Sequence, residues 1–203
     1  DSQGDGTILG EGLGLVVLKR LSDAVRDGDR IYARILSIGT SSDGKGAAIY
    51  APTVAGQQRA LQDAYQQAGV GPSSIELVEA HGTGTAIGDA TELQALQEIY
   101  SRAGSQPNRC ALGSVKSQIG HTKAASGAAG LIKAVLSLHH KVQPPSIKIR
   151  EPLQGLQNES SPFHIESSAR PWIRRADSPR RAAVSSFGFG GSNFHAVLEE
   201  NSS

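Results

Sequence analysis

A single cysteine, Cys110, rules out an internal disulfide and leaves no cysteine pair for a zinc site, so a reducing compartment is the natural setting. Methionine is absent altogether, and the sequence opens at Asp1 in a glycine-rich stretch, as expected of a piece of a longer polypeptide. Long hydrophobic runs are missing too. Stretches such as Leu13-Gly14-Leu15-Val16-Val17-Leu18 fall far short of a bilayer span, and no signal peptide is recognisable, so the expected location is cytoplasmic. Neither sign of charge dominates: Lys+Arg 20 against Asp+Glu 19 gives a net charge of +1, which supplies no overall field for nucleic acid or an anionic membrane. What remains is 38% hydrophobic residues and 24 glycines without a collagen-like period. That is the composition of a soluble globular chain, and its length allows one domain with a sizeable core.

The hydrophobic pattern changes period along the chain. Leu15 to Leu18 is a short apolar run that predicts a buried strand, and residues 31–38 return to strand character after the turn signal Asp27-Gly28-Asp29. Together they predict an antiparallel pair. From Thr53 the period lengthens: Leu61, Ala64, Tyr65 and Ala68 share one helical face between Pro52 and Gly69. A strand over 75–78, a helix over 89–102, a strand over 111–115 and a long helix from about 122 to 140 continue a βαβαβα alternation. The last helix begins almost entirely with small residues, including Gly127 and Gly130, and its larger residues cover more than one face. This predicts close backbone packing and a helix buried between layers. An irregular region from 144 to 179 follows, then two strands over 182–186 and 196–198 around a glycine-rich turn. No internal repeat is present.

Three segments combine chemistry-bearing residues with glycine, each where a strand is predicted to end: His81-Gly82-Thr83-Gly84-Thr85, Lys116-Ser117-Gln118-Ile119-Gly120-His121, and Phe187-Gly188-Phe189-Gly190-Gly191-Ser192-Asn193. In open α/β folds, ligands collect outside the carboxyl ends of strands. Taken singly, each segment has a structural reading. A histidine at a strand end is commonly a hydrogen-bonded structural residue. Asp89 and Glu92 fit a capping box, the aromatic turn fits a tight hairpin, and Cys110 fits a small buried hydrophobe.

Taken together, the segments resemble the β-ketoacyl synthases. The resemblance rests on His-Gly-Thr-Gly-Thr followed by Gly-Asp-Ala-Thr-Glu, on Lys-Ser-Gln-Ile-Gly-His-Thr, and on Ser-Phe-Gly-Phe-Gly-Gly-Ser-Asn. It extends to the opening Asp-Gly-Thr-Ile-Leu-Gly-Glu-Gly and the closing Asn-Phe-His-Ala-Val-Leu-Glu-Glu. It implies an α/β fold, the thiolase-like layered αβαβα sandwich, of which this chain is mainly the C-terminal half. Residues 1–40 would be the end of the N-terminal half, 41–200 the C-terminal half and 201–203 a tail. Gln118, with the small-residue run 123–130, looks most like multidomain synthases making polyunsaturated fatty acids or iterative polyketides.

The activity implied is acyl transfer by decarboxylative Claisen condensation, with a nucleophilic cysteine that belongs to a segment with no counterpart here. The resemblance assigns His81 and His121 to malonyl binding and decarboxylation, and puts the Lys116 ammonium in a buried network near Glu92, with Asp89 in support. It gives one oxyanion N–H to the position of Phe189. Phe187 and Phe189 would border the acyl pocket, and Thr83 and Thr85 would hydrogen-bond a phosphopantetheine arm. It implies no metal and no bound cofactor, an acyl carrier protein and the N-terminal half as partners, and a homodimer. Arg170, Arg174, Arg175, Arg180 and Arg181, relieved only by Asp177, are either a surface for an acidic carrier or a solvated loop. Nucleic acid fits poorly, because one aromatic accompanies the arginines and no binding motif is present. Three rivals remain: a non-condensing partner that shapes chain length, an interface fragment, and a nucleotide-binding module using Gly10-Glu11-Gly12-Leu13-Gly14. The last conflicts with its context, since these glycines precede an expected strand instead of following one. Titration of the chain with a dinucleotide is expected to show no binding; saturable binding would revive the nucleotide reading.

Overall fold

The computed structural model describes residues 1–44 and 51–201; the end of the expected 201–203 tail lies outside them. In chain order the elements are α1 (Leu21–Arg26), β1 (Arg34–Ser42), α2 (Val54–Ala68), β2 (Leu77–Glu79), α3 (Ala86–Arg102), β3 (Cys110–Gly113), α4 (Lys116–Ile119), α5 (Ser126–His140), β4 (Val142–Gln143), α6 (Gln154–Gln157), β5 (Phe163–His164), β6 (Arg170–Pro171), β7 (Arg181–Phe187) and β8 (Ser192–Glu199). Six strands form one sheet in the order β1-β8-β7-β2-β3-β5, and β4 pairs with β6 separately. Within the main sheet β7, β2, β3 and β5 run parallel, while β8 is antiparallel to both β7 and β1.

Helices α2 and α3 cover one face of the sheet and α5 the other. Strand alternation divides the core accordingly. Val78, Ala183 and Val197 join Leu61, Tyr65, Leu96 and Tyr100 on the α2–α3 side, whereas Leu77, Ala182 and Leu198 join Ala134, Leu138 and Trp172 on the α5 side. Parallel strands buried on both faces need continuous apolar runs, which β2, β3 and β7 supply.

The expected αβα alternation from Thr53 onward is present, with Thr53 as the N-cap of α2 through its side-chain oxygen. Four expectations fail. Residues 15–18 form no strand and do not pair with β1, whose partner is β8. They run outside the sheet with Leu15 85% and Val17 98% exposed, although β1 lies at the edge of the sheet. Helix α3 starts one turn early, capped by Thr85 and not by Asp89, so Asp89 and Glu92 lie inside the helix and are released from capping. The span 122–140 is a 3₁₀ turn, Lys123–Ala125, leading into α5. Among the described residues, α5 is buried on one face only, where a Cβ on Gly130 would sit 3.1 Å from Glu79 and 3.4 Å from Val184, so the predicted close packing is real.

The arginine cluster is no free basic patch either. Arg181 pairs with Glu199 at 2.8 Å and Arg180 with Glu200 at 2.5 Å, Arg174 lies 3.5 Å from Glu200, Arg175 lies 3.8 Å from Glu76, and Arg170 pairs with Glu166. Glu76, Glu199 and Glu200 come from outside the segment and Glu166 lies just ahead of it, so residues 170–181 by themselves showed only Asp177.

A fully buried polar chain crosses the core between α2 and the β7–β8 hairpin. His195 is hydrogen-bonded through Nδ1 to Ser185 Oγ and through Nε2 to Tyr65 Oη, each at 3.0 Å, and Tyr65 meets Tyr100 at 2.7 Å. Burial holds the His195 imidazole down at about 3 against an ordinary 6.5. The unfolded chain therefore takes up this proton first, so the contribution to stability is full above pH 6.5 and drains away as the pH falls toward 3. His195→Phe strands the Ser185 hydroxyl. It is expected to cost about 2 kcal/mol at neutral pH and to flatten the acid side of the stability profile, read from urea denaturation between about pH 7 and about pH 4.

Candidate active site

Strands β2, β3 and β7 are parallel neighbours, so the three glycine-containing segments leave the sheet at the same edge. The first runs from β2 into α3 and carries His81. The second runs from β3 through α4 to His121. The third is the turn between β7 and β8. An N-terminal segment crosses the first two: Gly6 N–H donates to Gly84 O, Thr7 Oγ1 donates to Thr83 O, and Leu9 bridges His121 through the N–H of His121 to Ile8 O and the N–H of Gly10 to His121 O. Gly10 has no alternative there, because a Cβ would lie 2.0 Å from Ile119 O.

The two imidazoles come together with ring centroids 5.5 Å apart and planes at 89°, and the Phe187 ring lies 6.0 Å from His81. Both accept at Nδ1. His121 Nδ1 receives the backbone N–H of Lys123 at 3.0 Å, and His81 Nδ1 faces the Lys116 ammonium at 3.5 Å. An ammonium has only donors, so each neutral ring carries its proton on Nε2. Burial, then the charge of Lys116, then His121 hold His81 at about 3, far below its ordinary 6.5. His121 is lowered by burial, Lys116 and Lys123. At neutral pH the pair offers two uncharged N–H donors.

Three carboxylates organise the loops. Glu92, buried in α3, accepts the N–H groups of His81 and Gly82 at 2.8 Å, one on each oxygen; burial pushes it up to about 7 while these two amides hold it down. Asp89 accepts the N–H of Gly84 at 3.1 Å. Glu79, at the end of β2, accepts the N–H of Val115 at 2.5 Å and the ammonium of Lys133 at 2.7 Å. Lys116 is itself lowered by burial, against the favourable fields of Glu92, Glu79 and Asp89.

Around this centre lies an open cavity of about 850 Å³, bordered by His81, His121, Thr83, Thr85, Phe187 and Phe189. Behind the His81 loop a second cavity of about 600 Å³ is bordered by Lys116, Asp89 and apolar residues of α3 and β3. His81, His121, Thr83, Thr85, Glu92, Phe187 and Phe189 thus border one cavity, with Lys116 and Asp89 on the second. Thr83 and Thr85 share a 2.9 Å hydrogen bond, and Thr85 also caps α3, so part of their hydrogen-bonding capacity serves the loop. Phe189 sits at the hairpin tip, 82% exposed. Asp43 ties the hairpin to β1 by accepting from Asn193 Nδ2 at 3.0 Å and donating its N–H to Gly191 O at 2.8 Å. Asp43, Glu79, Lys133 and the Leu9–Gly10 bridge escaped the sequence reading; a lone acid ending an apolar strand and a lone lysine in Leu131-Ile132-Lys133-Ala134-Val135 were the available signals. Among the described residues no group of three His, Cys, Asp or Glu side chains is placed to hold a metal ion. Cys110 is buried in the core and its thiol is pushed well up by burial, so it is no nucleophile.

In nitrogen-15 NMR of labelled protein, His81 is expected to stay neutral with its proton on Nε2 from about pH 8 down to about pH 5. Lys116→Met is expected to raise its titration point. A ring titrating near 6.5 in the unmutated protein contradicts this account of the site.

The chain is similar to known proteins over nearly its whole length. Residues 32–150 match the family described as "Beta-ketoacyl synthase, C-terminal domain". A polyunsaturated fatty acid synthase polypeptide of Thraustochytrium sp. (strain ATCC 26185 / S-3) is 48% identical over 98% of this chain, which spans 7% of that protein. Polyketide synthase PksL of Bacillus subtilis (strain 168) is 44% identical over 98% of the chain, here 4% of the relative. The solved ketosynthase from module 1 of the bacillaene synthase of Bacillus amyloliquefaciens FZB42 superposes with a TM-score of 0.94 at 46% identity, covering all of this chain and 36% of that one. One αβα unit of the expected layered sandwich, with the histidine loops at the edge of its parallel strands, therefore has a defined lineage: the chain belongs to the β-ketoacyl synthase family and comprises its C-terminal domain.

Proposed function

We propose that this chain supplies the decarboxylation half of a ketosynthase active site that joins an acyl thioester to a malonyl unit carried on the phosphopantetheine arm of an acyl carrier protein. The observation that carries the reading is the pair of uncharged imidazoles from separate loops on one cavity. When the malonyl carboxylate leaves as carbon dioxide, its electron pair moves into an enolate, and the negative charge collects on the thioester oxygen. Preorganised donors aimed at such a charge stabilise it without reorganising as it develops. His81 and His121 are those donors. Lys116 acts through His81: its ammonium fixes the tautomer and opposes protonation of the ring. Glu92 and Asp89 hold the loop in place.

The enolate carbon then attacks the acyl thioester on a cysteine, and the thiolate departs. The resemblance assigns that cysteine to the N-terminal half of the domain; Cys110 is committed to the core. The backbone N–H of Phe189 is assigned to the tetrahedral oxyanion, Phe187 to the wall of the acyl pocket, and Thr83 and Thr85 to the amides of the pantetheine arm. The exposed apolar residues 13–18 offer a surface for the rest of the N-terminal half. A second copy completes a homodimer, and the location is cytoplasmic; among the described residues no helix is long and apolar enough to cross a membrane. Retention of His81, Lys116 and His121 disfavours a non-condensing partner. The nucleotide-binding alternative is disfavoured because Gly10 is packed against Ile119 O and the next helix, α1, opens only at Leu21.

Joined to its preceding half, the chain is expected to form a carbon–carbon bond from acyl and malonyl carrier substrates, and alone to form none. His81→Ala and His121→Ala are each expected to lower malonyl decarboxylation by roughly 10²–10³, and Lys116→Ala to lower it as well. Unchanged decarboxylation in these variants rejects the roles assigned.

A further inference from the structure

Glu79 and Lys133 form a buried ion pair outside the residues given a part above. Their side chains are 3% and 11% exposed, and they approach from opposite elements, the end of β2 and the middle of α5. The sequence around each is otherwise apolar, and α5 carries Gly130 where the Glu79 side chain passes. A packed apolar pair serves stability at least as well as a buried ion pair, so packing alone does not account for these charges. Their position does. The second oxygen of Glu79 receives the N–H of Val115, the residue immediately before Lys116, at the point where β3 turns into α4. Glu79 also lies two residues before His81. One carboxylate therefore fixes the exit of β3 relative to the exit of β2, and with it the 3.5 Å approach of Lys116 Nζ to His81 Nδ1.

We infer that Glu79 and Lys133 are positioning residues for the decarboxylation step, clamping the Lys116 loop and balancing the charge around its ammonium. The inference rests on the ketosynthase reading given above. The charged and titratable groups acting on Lys116 are His81 beside it, Glu92 and Asp89 from α3, Glu79 from β2, Lys133 from α5 and His121 from its own loop. Glu79 favours the Lys116 ammonium and Lys133 opposes it. Removing only the Glu79 charge leaves Lys133 uncompensated beside Lys116. Lys116 then gives up its proton at lower pH, and the decarboxylation it supports is lost earlier as the pH rises.

The test uses the chain joined to its preceding half, with cysteine acylation by an acyl thioester and decarboxylation of a malonyl thioester measured separately across pH. Glu79→Gln keeps an acceptor for Val115 and is expected to shift the basic limb of decarboxylation down by about one pH unit, with acylation within about twofold of the unmutated enzyme. Glu79→Gln combined with Lys133→Met is expected to bring the limb back. Glu79→Asp keeps the charge, withdraws it from the Val115 N–H and is expected to lower decarboxylation roughly tenfold at every pH with the limb in place; it carries the test if Glu79→Gln does not fold. An unmutated enzyme that condenses, with Glu79 variants matching its limb and rate or losing acylation and decarboxylation in parallel, overturns the inference alone. An unmutated enzyme that makes no condensation product overturns the functional reading and this inference with it.

Discussion

Glu92 takes both of its oxygens out of water and gives each to a backbone N–H at the root of the His81 loop, and most of the site follows from that arrangement. A buried carboxylate with incomplete partners is costly by several kcal/mol, of order 3–5 when a partner is removed. The loop is thereby held in one geometry. The same device appears at Asp89 with Gly84 and at Glu79 with Val115. Three loops leave a rigid parallel sheet, and acids anchored in helix or strand hold the two histidine loops by their main chain. The side chains that meet the cavity are left to do chemistry. Rigid placement suits the imidazoles, because electrostatic stabilisation of a developing charge depends on donors that need no reorganisation when the charge appears.

The electrostatics of the site depend on the same burial. Desolvation alone depresses a histidine, and an adjacent ammonium depresses it further, so Lys116 and the poor solvation of His81 act in one direction. Lys116 remains tolerable because Glu92, Glu79 and Asp89 surround it with negative charge. The centre is a balance in which cations exclude a proton from the rings and anions stabilise the cations. The Nδ1 contacts add direction to that balance by leaving the Nε2 proton on each ring.

Much of this was legible in the sequence, and the failures have physical reasons. The helical face of Leu61, Ala64, Tyr65 and Ala68 is local information, and α2 appears where it is expected. The β7–β8 hairpin is local too. Residues 15–18 advertise a need for burial but cannot name what meets it, and they stay exposed outside the sheet. Asp89 and Glu92 satisfy the spacing of a capping box as well as that of a loop anchor; the tie is broken only by Thr85, whose hydroxyl receives the Gly88 N–H. The arginines from 170 to 181 look unrelieved until Glu76, Glu199 and Glu200 arrive from elsewhere in the chain and Glu166, just ahead of Arg170, is counted with them. Glu79 and Lys133 sit 54 residues apart, and nothing local joins them.

The bridge between Leu9 and His121 bears on how such synthases can be recombined. Residues 1–10 precede β1 by more than twenty positions, yet their main chain is the edge on which the His121 backbone is seated. A hybrid enzyme spliced within the stretch that separates this edge from the sheet would draw the histidine from one parent and its seat from another. The fit there is between backbones, with no room for even a methyl group at Gly10. Splice points upstream of Asp1 keep seat and histidine in the same lineage.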